Sequence, residues 1–241
     1  MNSILLCEGS TDFVLLQYFM RNVYNWEDKE IGPKFLQPTR ILTKDGRKLV
    51  IGGTGGSSQI IPKLNKIIEG NHLSSLETEY YNKIVIVTDR DDADTESDLI
   101  KKVNNIFSEF QVKNNQSVMT NKWISCEMLN SRKEHLTLEL LILVIPFEET
   151  GALETFLLQA IAKQDGYDDK IIKQSSIFVD EIDPEKRYLT SRRYITKAKF
   201  DVYFSIRTPA AFFAERQNIL RGIDWCQYIE INNCFSELEK I

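Results

Sequence analysis

The chain has 241 residues, 42% of them hydrophobic and 27% charged, with four cysteines, two histidines and a net charge of -5. A chain of this length buries roughly three quarters of its unfolded surface and needs neither disulfides nor metal to hold a core. The net acidity argues against coating nucleic acid by bulk charge, and two unrelated histidines, His72 and His135, argue against a His-rich zinc site or a Ser-His-Asp triad.

Other classes fall away on pattern. The longest apolar run, Leu136 to Phe147, contains Glu139 and Pro146, and is too short for the roughly 20 residues of a membrane span. Glu8 and Asp12 interrupt the apolar start, unlike a secretory signal. Cys7, Cys126, Cys226 and Cys234 form no C-x-x-C pair, which fits reduced thiols in a cytoplasmic protein. Any metal would have to be held by carboxylates.

In chain order, Asn2 to Cys7 reads as a buried strand that exits at Glu8-Gly9. Ser10 is placed to cap a helix whose apolar residues, Phe13, Leu16, Phe19, Met20 and Val23, recur at helical spacing. Two apolar stretches flank Lys44-Asp45-Gly46, a hairpin turn signal. The second runs into Gly52-Gly53-Thr54-Gly55-Gly56 and then a helix from Ile60 that Gly70-Asn71 should end. Lys83 to Thr88 is the clearest buried strand; a helix opened by Thr95 or Ser97 follows, to about Phe110. Val118 to Leu129 and Leu138 to Phe147 read as strands, and helices are expected near 153–161, 167–179, 190–205 and 210–220. Repeated strand–helix units imply an α/β fold: a mostly parallel sheet flanked by helices, with right-handed crossovers. The expected organisation is a single domain, with a core over about 1–165 and a helical C-terminal elaboration over about 166–241.

Ligands of open α/β sheets gather at the carboxyl ends of the parallel strands. Glu8 stands at one such end, and Asp89, with Asp91 two residues on, at another. Residues 89–98 hold six acids against the single cation Arg90. Like charges that share a site need a counter-charge, and a hard divalent ion such as Mg²⁺, or Mn²⁺, prefers oxygen ligands. The bland alternative is that Asp92, Asp94, Glu96 and Asp98 favour the following helix N-terminus. The glycine run is either a phosphate cradle or a tight strand-to-helix turn.

These residues carry a resemblance. Ile4-Leu5-Leu6-Cys7-Glu8-Gly9-Ser10-Thr11-Asp12, followed about 80 residues later by Ile84-Val85-Ile86-Val87-Thr88-Asp89-Arg90-Asp91, resembles the Toprim domain, the shared catalytic module of topoisomerases, primases and certain nucleases. The E-G-x-x-D spelling looks most like the overcoming-lysogenization-defect (OLD) nuclease type and small stand-alone bacterial Toprim proteins. The resemblance is strongest over 3–94. It implies a Toprim-like, Rossmann-like fold and a Mg²⁺-dependent nuclease. Glu8, Asp12, Asp89 and Asp91 match the metal-binding acids; Glu154 matches a further glutamate, and Lys197 or Lys199 a later lysine. The OLD nucleases carry an ATPase, yet no G-x-x-x-x-G-K-[ST] element occurs here. An ATPase or other protein partner and a homodimer are therefore open readings.

Residues 186–221 hold nine Lys/Arg and two acids, a local balance of +7 interleaved with Tyr188, Tyr194 and Tyr203. Such a stretch suits a DNA or RNA backbone, with Arg187, Arg192, Arg193, Lys197 and Lys199 as candidate contacts; a solvated helical face is the alternative. Two functions are carried forward: a nuclease, and a catalytically inert Toprim-fold module that binds nucleic acid or a partner in a defence or repair complex. A haloacid-dehalogenase-type phosphatase is less suited, since it usually wants D-x-D-G-[TV] after the first strand, and here Asp92-Ala93 follows a later one.

Overall fold

The computed structural model describes residues 2–30, 33–75, 80–209 and 216–241. Its centre is formed by the strongest apolar runs. Strand β1 (Asn2–Cys7) lies between β4 (Arg47–Gly53) and β5 (Lys83–Asp89), parallel to both, and β8 (His135–Ile145) is parallel to β5. Near-continuous burial along β1, β5 and the second half of β8 is what strands covered on both faces require.

Around this parallel centre the edges turn antiparallel. The full order is β2-β3-β4-β1-β5-β8-β7-β6, where β2 is Glu27–Glu30, β3 Thr39–Lys44, β6 Lys113–Asn114 and β7 Ile124–Leu129. The expected hairpin at Asp45-Gly46 joins β3 to β4, with both residues at positive φ. Short, charged β2 lies at one sheet edge and two-residue β6 at the other, as soluble proteins blunt their edges.

Helices α2 (Ile60–Leu73) and α3 (Thr95–Glu109) bury Ile60, Leu64, Ile67, Ile68, Leu99, Val103, Ile106 and Phe107 in one cluster with Ile4, Leu6, Ile84, Ile86, Ile142 and Val144. These strand residues alternate in sequence, so they share one face of the sheet. Helix α1 (Ser10–Tyr18) packs against β4 and continues as a π-helical turn through Val23.

Several expected boundaries differ: the strand read from Val118 begins only at Ile124, and β8 begins at His135 rather than Leu138. Helix α1 is capped at Gly9, where the Asp12 carboxylate accepts the Gly9 N–H, so Ser10 is already helical. Helix α2 passes Gly70-Asn71 and ends at Leu73. Buried Asn71 serves tertiary structure instead: its side chain donates to the Tyr81 carbonyl and accepts from the Tyr81 amide.

The chain divides into two compact units, one of residues 1–150 with 237–241, the other Gly151–Ser236. The division falls earlier than the expected passage near 165, because α4 (Leu153–Gln164) packs with α5 (Gly166–Ile182), α6 (Arg192–Arg207) and α8 (Ile229–Phe235). This second unit also contains α7 (Arg216–Arg221), and it buries Phe200, Tyr203, Phe204, Trp225 and Phe235. Of the helix expected near 210–220, residues 210–215 lie outside the described residues. In the first unit the C-terminal turn is held by the Trp123 indole, which donates to the Glu237 carbonyl at 3.1 Å. Among the described residues no helix is long and apolar enough to cross a membrane.

Candidate active site

Because β4, β1, β5 and β8 are parallel, their carboxyl ends share one sheet edge. After β1 the chain turns to the β4 side, whereas after β5 it proceeds to the β8 side. The connections therefore diverge between β1 and β5, and a crevice outside that point is where open α/β sheets bind ligands. Glu8 and Asp89 flank it. With Cys7 opposite Val87 in the ladder, Glu8 follows alongside Thr88. Its Oε1 accepts the Thr88 hydroxyl at 2.5 Å and the Asp89 backbone N–H at 2.9 Å. Both acids are partly exposed, so their charge stays in contact with solvent.

Asp12 is buried, with Oδ2 2.8 Å from the Gly9 amide. Burial first, and then the Asp12 and Glu8 carboxylates, push the Cys7 thiol well above its ordinary range. Cys7 is thus protonated, without thiolate reactivity. Asp91 is exposed in the loop between β5 and α3.

The acidic run beyond Asp91 is largely structural. Asp92 accepts from the Thr95 hydroxyl and the Asp94 amide, closing the turn into α3. Glu96 pairs with Arg90 at 2.8 Å and accepts the Thr120 hydroxyl. Arg90 is buried, and it also donates to the Pro146 and Phe147 carbonyls at 2.8 and 2.6 Å. It ties the end of β5 to the exit of β8. Thr88 and Arg90 are the residues the sequence reading passed over. Thr88 would have been found from the register that puts it beside Glu8. Arg90 stood in view only as a counter-charge.

The glycine run resolves by position. A Cβ on Gly52 would stand 2.5 Å from the Leu36 side chain, and one on Gly53 2.8 Å from Pro38 Cδ and 3.0 Å from the Gln37 carbonyl. Gly55 and Gly56 face open space but adopt φ of +90° and +121°. The Thr54 amide donates to the Cys7 carbonyl, and the Gly55 and Gly56 amides donate to the Glu8 carbonyl. The loop is therefore a clamp on the Glu8 backbone, with these amides spent on protein rather than pointed at a phosphate.

The remaining candidates belong to the second unit. Glu154, in the first turn of α4, is buried at 5% exposure. Lys199 pairs with Asp180 at 2.7 Å, bracing α6 on α5. Lys197 is half-buried. Arg187, Arg192 and Arg193 are exposed, as are Tyr188 and Tyr194, but Tyr203 is fully buried and hydrogen-bonded to Arg207.

Among the described residues, no three metal-ligating side chains converge. The expected set of Glu8, Asp12, Asp89 and Asp91 is thus not gathered as a cage: Asp12 is turned onto the Gly9 amide and Asp91 lies on an exposed loop. A magnesium ion with a largely aqueous shell needs only one or two carboxylates, and Glu8 and Asp89 are partly exposed acids at adjoining strand ends.

Against known families, a profile described as a protein of unknown function, DUF3226, matches residues 2–220. The chain belongs to the DUF3226 family. No curated protein matches. For this DUF3226 member, a hypothetical protein from Pyrococcus horikoshii OT3 superposes with a TM-score of 0.56 at 16% identity, covering 99% of this chain and 98% of that one. That likeness is one of fold. A lactoylglutathione lyase from Agrobacterium tumefaciens matches at 11% identity over 58% of this chain and 91% of its own, with a TM-score of 0.20. At that score it says nothing about the DUF3226 fold or chemistry.

Proposed function

We propose that the protein is a magnesium-dependent phosphoryl-transfer enzyme of the Toprim kind, hydrolysing phosphodiesters of nucleic acid. The observation that carries this reading is the meeting of Glu8 and Asp89 at adjoining strand ends, with the Glu8 carboxylate on the Asp89 amide. A magnesium ion held by these acids would polarise the phosphodiester and supply the attacking water. The protein's own part is positional. The Thr88 hydroxyl and Asp89 amide fix one Glu8 oxygen. Thr54, Gly55 and Gly56 fix the backbone on either side of the same residue. The reading rests on the carboxylates of the first unit and does not require the Toprim lysine.

The test is cleavage of plasmid, single-stranded DNA and RNA in Mg²⁺ or Mn²⁺ by the full chain beside Glu8→Gln and Asp89→Asn. Metal-dependent cleavage by the wild type alone is expected; equal cleavage by all three would end the reading.

A second reading, the catalytically inert module, draws support from the missing third ligand among the described residues. It predicts no cleavage and no thermal stabilisation by divalent ions, with nucleic-acid binding intact in EDTA.

A further inference from the structure

The nucleic-acid reading leaves open whether the substrate is single- or double-stranded, and residues 183–194 of the second unit bear on that choice. Asp183 ends α5, and its carboxylate accepts the amides of Arg187, Tyr188 and Leu189 at 2.9, 2.8 and 2.8 Å. Lys186, at φ +51°, donates its amide to the Asp183 carbonyl. One carboxylate thus organises a turn from which Arg187 and Tyr188 project. The Arg187 guanidinium lies over the Tyr188 ring, 5.3 Å from its centroid, yet Tyr188 remains 71% exposed. Three residues later Ser191 caps α6, and Arg192, Arg193 and Tyr194 follow, all exposed.

Residues 186–194 include four cations, two tyrosines and no acid. Arginines in the first turn of a helix oppose its dipole, and exposed tyrosine rings bury little. A ligand that is anionic and carries flat apolar faces would use all of it. Lys199 and Tyr203 are occupied by Asp180 and Arg207 and are not part of it.

We infer that the turn from Lys186 to Tyr194 is a binding platform for single-stranded nucleic acid, with bases stacking on Tyr188 and Tyr194 and phosphates meeting Arg187 and Arg193. In a duplex the base faces are covered by their neighbours, so exposed rings gain nothing there, whereas an unpaired strand offers each base to a ring. The platform rests on the nucleic-acid reading, but binding to it needs neither the metal nor the strand-end carboxylates.

The experiment is fluorescence anisotropy of the full chain with labelled oligonucleotides in EDTA, which silences cleavage. Single-stranded DNA and RNA are each compared with a duplex of equal length, and polyglutamate is the competitor. Single strands should bind at least about tenfold tighter than duplex. Tyr188→Ala and Tyr194→Ala should each weaken binding by about tenfold, within the range known for lost base–aromatic stacking. Arg193→Gln should lower the slope of log K against log salt by about 0.7, one phosphate contact on a single strand; the tyrosine variants should leave the slope unchanged. Duplex bound as tightly as single strand, tyrosine variants without effect, or displacement by polyglutamate at equal charge would overturn the platform. Strand-selective binding without metal-dependent cleavage would uphold the platform and defeat the enzyme; cleavage by a protein that fails these binding tests would do the reverse.

Discussion

Arg90 shows how a single side chain decides whether the strand-end edge stays in place. Its buried guanidinium serves two carbonyls after β8 and the Glu96 carboxylate at the start of α3. Truncation leaves those acceptors unmatched, and leaving a buried acceptor unsatisfied costs about 1–3 kcal/mol. Arg90→Ala should lower the urea-unfolding free energy by about that amount. Arg90→Lys should recover little, because an ammonium cannot reproduce the planar fork. Glu96 adds a pH signature. The Thr120 hydroxyl, opposed by partial burial and helped by Arg90, holds its carboxyl below the usual range. A depressed folded pKa contributes stability above the ordinary glutamate value and loses it as pH falls through the folded value. Glu96→Gln should therefore be less stable than wild type at neutral pH, with the gap closing under acid; a gap that does not change with pH would refute this role.

At the scale of elements, the parallel centre was legible because its strands are unbroken apolar runs between turn residues, and burial on both faces demands such runs. Strand β2 was not. Its four residues, Glu-Asp-Lys-Glu, carry no apolar alternation, and an edge position asks for none. The end of α2 was misplaced for a related reason: Gly70-Asn71 spells a helix stop locally, but Asn71 answers to Tyr81 ten residues on. The glycine loop separates two kinds of glycine requirement that look alike in sequence. Gly53→Ala places a methyl against Pro38 and the Gln37 carbonyl and should cost about 1–3 kcal/mol by overpacking. Gly56→Ala meets no atom, yet at φ +121° it should cost about 1–3 kcal/mol through backbone strain alone. Thermal unfolding of the two variants, with Gly70→Ala in α2 as a near-neutral or mildly stabilising control, checks both.

For the whole molecule, the net charge of -5 is that of the first unit, with 18 Lys/Arg and 23 Asp/Glu, while the second unit holds 12 of each and is neutral overall. The candidate acids Glu8, Asp12, Asp89 and Asp91 belong to the first, and the stretch of +7 lies wholly in the second. Sequence located both because charge clusters survive without knowledge of packing. It could not tell which members do structural work, since that depends on partners far along the chain: Thr120 for Glu96 and Asp180 for Lys199. The fold shared with the Pyrococcus horikoshii protein at 16% identity shows how far such an architecture outlasts its residues. The chemistry has to be asked of the acids directly. Titration of Mn²⁺ into the full chain, followed by the loss of free-ion electron paramagnetic resonance signal, measures the site without a substrate. Wild type should hold the ion at a site that Glu8→Gln and Asp89→Asn each abolish, while Asp98→Asn leaves it intact; equal Mn²⁺ binding by wild type and both strand-end variants would contradict the assignment.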